Sequence, residues 1–288
     1  MTAKSLACLG VVLAALGTGV AAGAGAVRAG DDRQVAPVAI GPNDATMDRP
    51  WVNSLGMKFV PVRGTTVLFC IWETRVKDFR AFVKDKGYEW NEKPSFKQTP
   101  NDPVVMVSHG AAKAFCAWLS KKEGLDYRLP TDDEWDAAVG KDKYPWGDRW
   151  PPPKGAENLA GEEAIIGDSG DPSSVIRGHR DDYPRTAPVG NHRATKTGLY
   201  DMIGNVREWT DDWYTEAIYR KQKESGGPDL RPEQLADIKS GQLRRVARGC
   251  HWWDSVAGIV VASRRFCLRP NEQNDKTGFR CVVVISRR

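Results

Sequence analysis

Along the chain, hydrophobic and polar positions change period several times, and each change marks an element. Residues 57–72 cluster and alternate β-formers (Phe59, Val60, Val62, Val67, Leu68, Phe69, Ile71) around Gly64, which predicts a hairpin. The period then lengthens. Val76, Phe79, Phe82 and Val83 share one helical face, and Gly87 is placed to end that helix. A second helix is predicted from Ser108 as N-cap through Ala112, Phe115, Cys116 and Leu119 to Gly124. A third, short helix follows from the capping-box spacing of Thr131 and Glu134, ahead of Trp135, Ala138 and Val139, with Gly140 as its stop.

Periodicity then fails. Residues 144–197 are rich in Gly, Pro, Asp and Asn and carry neither a helical nor a strand repeat. So long a structureless stretch needs an organiser in a compact domain; disorder is one reading and bound cations, drawing carboxylates and carbonyls together, the other. Residues 221–241 read as a polar surface insertion, and no internal repeat is present.

The N-terminus adds a destination. Lys4 precedes an apolar run from Leu6 to Val20 and small residues through Ala29, the organisation of a secretory signal over residues 1–29. Residues 30–50 read as a polar linker and 51–288 as the folded domain. A periplasmic, cell-surface or extracellular protein is expected, held at a membrane only if the signal stays uncleaved. The formal charge of +5 falls by two when Lys4 and Arg28 leave, a balance that does not suggest nucleic-acid binding. In an oxidising compartment Cys70, Cys116, Cys250, Cys267 and Cys281 are disulfide candidates, and an odd number leaves one free, paired between chains or used in chemistry.

Eight segments in order narrow the reading: Pro103-Val-Val-Met-Val-Ser108, Phe115-Cys-Ala-Trp118, Arg128-Leu-Pro-Thr-Asp-Asp-Glu-Trp135, Tyr144-Pro-Trp-Gly-Asp148, Thr186-Ala-Pro-Val-Gly190, Gly198-Leu-Tyr-Asp-Met-Ile-Gly-Asn-Val-Arg-Glu-Trp209, Arg245-Val-Ala-Arg-Gly249 and Gly278-Phe-Arg-Cys281. Over residues 51–288 the series resembles the formylglycine-generating-enzyme, or sulfatase-modifying-factor, domain family, whose relatives include ergothioneine-type sulfoxide synthases and pyoverdine-maturation proteins. The resemblance implies a compact α+β fold related to C-type lectins and poor in regular structure. It also implies two calcium sites. One would use Asn158, the Leu159 carbonyl, Asp181 and the Tyr183 carbonyl; the other Asp201, the Gly204 and Val206 carbonyls and Glu208. Oxygen donors mixing carboxylate with carbonyl are what hard Ca²⁺ requires. A disulfide between Cys116 and Cys281 is implied in the same way.

Family members that oxidise a substrate cysteine to formylglycine carry Gly-Gly-Ser followed by two copper-binding cysteines four residues apart. Here Asp254 and Ile259 stand at those positions, and Gly-Gly-Ser reads Gly249-Cys250-His251. Soft Cu(I) needs thiolates, so copper is not expected and no catalytic residue is assigned. The four histidines are scattered, and nothing points to an iron triad. Cys250, His251, Trp252, Trp253 and Asp254 form a candidate cleft. In it Cys250 and His251 are either a remodelled metal or thiol site, or a cysteine bridged to Cys267 or Cys70 beside an ordinary polar residue. Adjacent strand positions face opposite ways, which disfavours joint ligation. The expected function is a non-catalytic peptide- or glycan-binding or accessory module, and the competing one a metal-dependent oxidoreductase with altered thiol or metal chemistry.

Overall fold

The computed structural model describes residues 40–165 and 172–285. The expected signal segment lies outside the described residues, as does the start of the expected linker. From residue 40 onward that linker belongs to the folded body: Pro42–Asp44 form a 3-10 turn, and Ile40 and Ala45 pack on the first core. Two apolar side chains, Ile40 and Ala45, are too sparse to register as a period.

The expected hairpin is present as β2 (Lys58–Pro61) and β3 (Val67–Cys70), antiparallel, with Phe59 opposite Cys70. β1 (Trp51–Val52) joins the outside of β2, while β9 (Val282–Val284) from the chain's far end pairs with β3 and with β4 (Tyr127–Arg128). The first sheet therefore runs β1-β2-β3-β9-β4. Against it lie α1 (Val76–Lys86) and α2 (His109–Glu123). Both end at glycines, Gly87 and Gly124, in the left-handed conformation. Ser108 accepts from the Ala111 N–H at 3.1 Å as the α2 N-cap. Phe79 of α1 stacks on Phe115 of α2 with centroids 5.9 Å apart, and Phe279 closes the cluster edge-on. Truncating Phe79 in so dense a core would cost about 3–5 kcal/mol.

α3 (Asp132–Val139) begins with the expected capping box: Thr131 Oγ1 accepts from Glu134 N–H at 3.2 Å, and Glu134 Oε2 from Thr131 N–H at 2.9 Å. The second sheet contains β5 (Arg207–Trp213), β6 (Arg245–Arg248), β7 (Arg265–Leu268) and β8 (Thr277–Gly278), ordered β7-β6-β5-β8, with β5 and β8 parallel. Residues 144–197 contain, as described, no strand beyond an isolated bridge between Tyr144 and Gly147. Segments there are tied to one another by polar side chains instead.

The polar insertion is more structured than its composition suggests. It folds as α4 (Glu216–Glu224) and α5 (Pro232–Lys239), with Ile218, Tyr219, Leu235 and Ile238 packed on Tyr214, Leu230, Val246 and Cys267. Two buried glutamines fasten it to β7, the outermost strand: Gln222 Oε1 accepts from Arg265 N–H at 3.0 Å, and Gln234 Nε2 donates to the Cys267 carbonyl at 3.0 Å. At its base Tyr214 N–H donates to the Arg244 carbonyl at 2.8 Å. Residues 221–241 are thus a helical cover on the second sheet and not a loop on the surface.

Candidate functional site

The residues expected to hold cations lie where the long loop meets β5. Asn205 joins its pieces: its N–H donates to the Asn158 carbonyl (2.8 Å), its Oδ1 accepts from Asn158 Nδ2 (3.0 Å) and Ala187 N–H (2.9 Å), and its Nδ2 donates to the Ala187 carbonyl (3.2 Å). Asp201 and Asn205 both adopt positive φ, +57° and +61°, so the turn between them is held in a conformation that few side chains accept. Gly204 is required for a different reason. A Cβ there would sit 2.8 Å from the Asn158 carbonyl oxygen.

Around this turn the structure gathers the first expected set. Asp181 accepts from Leu159 N–H and Tyr183 N–H, both at 2.9 Å, and its Oδ2 lies 3.3 Å from His179 Nε2. Asn158 Oδ1 is buried without a hydrogen-bond partner. In the second set Asp201 accepts from Gly190 N–H (2.8 Å) and faces His192 Nδ1 (3.3 Å), while Glu208 holds Arg280 through two contacts of 2.7 Å. Gly204 and Val206 are buried in the adjoining turn.

Two further carboxylates, missed at the level of sequence, complete this centre. Glu73 follows β3, and Glu157 precedes Asn158; both are buried, and both Glu73 oxygens and Glu157 Oε2 have no hydrogen-bond partner. Burial pushes both carboxyls well up, and Asp201 and Glu208 raise them further. Of these four buried carboxylates, Glu208, Glu73 and Glu157 are within reach of one guanidinium, that of Arg280, and Asp201 faces His192. The usable signal was a glutamate directly after the apolar run of residues 67–72. The unclaimed acceptors are all oxygens, and they suit a hard divalent cation.

A second carboxylate group, Asp132, Asp133 and Asp136, also brings ligand-type oxygens within 4.8 Å of one another. Cations of the chain already occupy it. Arg248 reaches Asp132 (2.6 Å) and Asp136 (2.8 Å), Arg265 reaches the same two, and Lys221 lies 3.0 and 2.8 Å from them. That group is a charge-neutral brace between α3, α4 and the second sheet.

The segment at 249–259 is a packed corner. Cys250 is buried in the second core and its thiol reaches the Ile259 carbonyl at 3.4 Å; burial pushes that thiol well above its ordinary value. His251 turns the other way. Its Nδ1 accepts from Trp253 N–H (3.1 Å), its own N–H donates to Asp254 Oδ2 (3.1 Å), and burial, then Arg207 and Lys276, hold the ring well below its usual pKa. Cys250 and His251 therefore do not converge on a common ligand. Trp252 is buried, donating to the Asp275 carbonyl at 3.0 Å; Trp253 and Asp254 keep partial exposure, so the recess expected over 250–254 narrows to these two.

Cysteine placement decides between pairings. Cys267 stands opposite Val246 on β6, and Cys250 lies four residues further along, roughly 13 Å at strand spacing, too far for a bridge. Cys70 belongs to the first core, with Cys281 across the ladder rather than Cys250. The expected alternatives of Cys250 with Cys267 or Cys70 are thereby corrected. Cys116 and Cys281 are adjacent thiols, Sγ to Sγ 3.4 Å, both buried.

With two small sheets, five helices and a long unpatterned loop stitched by polar side chains, the chain has the mixed α+β architecture of one known class. The profile of the sulfatase-modifying factor enzyme 1-like domain matches residues 41–285, and the chain belongs to that family. It is 32% identical over 199 residues to the formylglycine-generating enzyme of Thermomonospora curvata, covering 66% of this chain and 58% of that one. It is 34% identical over 194 residues to the inactive Cα-formylglycine-generating enzyme 2 of Bos taurus, covering 64% and 51%. The chain thus spans between half and three-fifths of the length of these relatives. Among solved structures, PvdO from Pseudomonas aeruginosa superimposes with a TM-score of 0.57 at 22% identity, over 76% of this chain and 80% of that one. That likeness speaks to the fold.

Proposed function

We propose that this protein is an exported, calcium-stabilised member of the family that does not generate formylglycine and serves as a binding or accessory module for a peptide or glycan. The observation that carries the reading is the pair Asp254 and Ile259. Asp254 is tied to the His251 N–H, and Ile259 presents an alkyl group, so neither offers the thiolate that Cu(I) needs. The nearest thiol, Cys250, is buried and points to a backbone carbonyl. A relative named as inactive shows that the family's names include loss of this activity, which supports the same reading.

Calcium would be held by Asn158, Asp181 and the carbonyls of Leu159 and Tyr183, and by Asp201, Glu208 and the carbonyls of Gly204 and Val206, with Glu73 and Glu157 beside them. Its contribution there is to neutralise charge and fix the loop on which the binding face rests. Export is supported by the signal-like residues 1–29.

The test is incubation of a Cys-x-Pro-x-Arg peptide with copper-supplemented protein and mass spectrometry of the product. No aldehyde above a no-protein control is expected. Conversion of the peptide, or stoichiometric copper or iron in the purified protein, would overturn the proposal in favour of an oxidoreductase.

A further inference from the structure

Beside Asp254 the second sheet carries two arginines that have no ion-pair partner among the described residues. Arg207 opens β5, and Arg264 immediately precedes β7. Both guanidinium groups lie against the ring of Phe266, with Cζ 4.2 and 4.5 Å from its centroid. Among the described residues neither makes a side-chain hydrogen bond or an ion pair, and the Nε of each is buried without a partner.

The rest of the molecule makes this arrangement unusual. Arg248 and Arg265 each engage Asp132, Asp136 and backbone carbonyls; Arg280 engages Glu208 and the Tyr200 carbonyl. Arg245, which also has a buried Nε without a partner and stacks on Trp213, still donates to the Asp211 carbonyl at 2.8 Å. At Phe266 the chain instead places two like charges on one ring, where they repel each other.

The charged groups facing the pair are few. Asp254, Cys250 and Glu272 are within electrostatic reach of Arg207; Asp254, Cys250, Tyr214 and Arg231 are within reach of Arg264. None of these carboxylates contacts either guanidinium at ion-pair distance. Asp254 Oδ2 accepts from the His251 N–H, and Glu272 Oε1 accepts from Asn274 Nδ2 at 3.0 Å. Lys276 adds a third cation facing His251 and Asp254. Each arginine Nε is buried without an acceptor, which is costly, while the residues keep partial exposure, and a planar oxyanion is the partner whose two oxygens match a guanidinium fork.

We propose that Arg207 and Arg264, braced on Phe266, form a carboxylate-binding subsite that reads an acidic side chain of a peptide ligand. A peptide is favoured because the partly exposed rings of Phe96 and Trp253 pack on Trp252 two residues before Asp254, with the Arg185 guanidinium over all three, an aromatic and cationic surface able to take neighbours of the acidic residue. The inference rests on the reading of this face as a ligand-binding surface, and it names what that surface recognises.

The test uses the whole mature protein with calcium and a set of fluorescein-labelled peptides of one Trp-containing scaffold, carrying Glu, Gln or phosphoserine at the central position. Fluorescence anisotropy should give at least about tenfold tighter binding for Glu than for Gln at low salt, because the fork bonds are charge-assisted. The preference should weaken as salt rises. Arg207→Met with Arg264→Met should abolish the preference for Glu while leaving Gln-peptide binding in place. Arg207→Lys, which keeps the charge and loses the fork, should retain part of it and covers the case in which the double variant does not fold. Equal binding of Glu and Gln peptides, or an unchanged preference in the variants, overturns the subsite but leaves the binding-module reading standing. A phosphoserine preference abolished by the same variants overturns the carboxylate assignment. Absence of binding by every peptide, with a sulfated oligosaccharide bound instead, overturns both the subsite and the peptide ligand.

Discussion

Two groups of carboxylates, one around the buried Asp132 and one around the buried Glu73, obey opposite rules of charge balance. At the brace, Asp132, Asp133 and Asp136 meet Arg248, Arg265 and Lys221, so every charge brought out of water has a covalently supplied counter-charge. At the loop, Glu73, Glu157 and Glu208 share Arg280 beside Asp201, and several oxygens have no partner. Leaving a buried charge uncompensated costs several kcal/mol, so the first arrangement is complete as the chain stands, while the second is the one the proposed calcium would complete. The sequence neighbourhood reflects this. The brace joins α3, α4 and the second sheet, all regular elements, whereas the carboxylate-rich centre lies where the long loop meets β5 and the end of β3.

The largest expected effect tests the self-sufficient half. Asp132→Ala would leave Arg248 and Arg265 buried with one carboxylate fewer, at a cost of about 3–5 kcal/mol in urea unfolding, and the loss should be the same with or without calcium. The brace also sets acid sensitivity. Burial opposes ionisation of Asp132 and Asp136, but Arg248 foremost among the cations outweighs it and holds both below their ordinary values. The folded state then binds fewer protons than the unfolded one, so this contribution is complete above roughly pH 4 and is lost as pH falls through the unfolded value and then the folded ones. Acid titration of Asp132→Asn should show that part of the transition missing.

Chelation tests the other half. Removing calcium present at a hundred to a thousand times its dissociation constant should lower stability by about 3–4 kcal/mol, a fall of roughly 6–15 °C in melting temperature. Proteolysis should then open within residues 144–208. Glu157→Gln sharpens the contrast through its sign: it should weaken calcium binding yet stabilise the chelated protein, because it removes a buried repulsion. A variant that destabilises both forms equally would show the two carboxylate groups to be alike after all.

A smaller effect, about 2–4 kcal/mol, is expected from the Cys116–Cys281 bond, which closes a very long loop in the unfolded chain. Cys281 directly follows Arg280, so Cys116→Ser should reduce calcium affinity while leaving the Asp132 brace intact. Non-reducing peptide mapping reads the bond itself; two free thiols would remove it from the account.

Much of this was legible before the structure. Caps made it so: Ser108, Thr131 with Glu134, and the glycines at 87, 124 and 140 each solve a local problem of unpaired helix-end groups, and local problems are visible locally. Asp201, Glu208, Asn158 and Asp181 were legible only through ordered motifs shared with a family. Glu73 and Glu157 were not, since a buried glutamate and a solvated one look alike until distant segments meet. α4 and α5 escaped for a related reason. Their anchoring positions are Gln222 and Gln234, which hydrophobic patterning scores as surface. The two-residue strands β1, β4 and β8 are too short to carry any period, and β5 reads Arg-Glu-Trp-Thr-Asp-Asp-Trp, with buried charge where alternation would demand apolar side chains.

The glutamines that hold α4 and α5 have one more consequence, for behaviour in concentrated solution. Gln222 accepts from the Arg265 N–H and Gln234 donates to the Cys267 carbonyl, so two of the groups through which β7 would hydrogen-bond a further strand are already occupied by side-chain amides that mimic a peptide. Shortening residues 215–243 to a tight turn would cost little in loop closure, since Tyr214 and Arg244 are already joined at the base. It would nevertheless uncover a ready template for a strand from a neighbouring molecule, and the trimmed protein should self-associate through β7 even where its monomer remains folded.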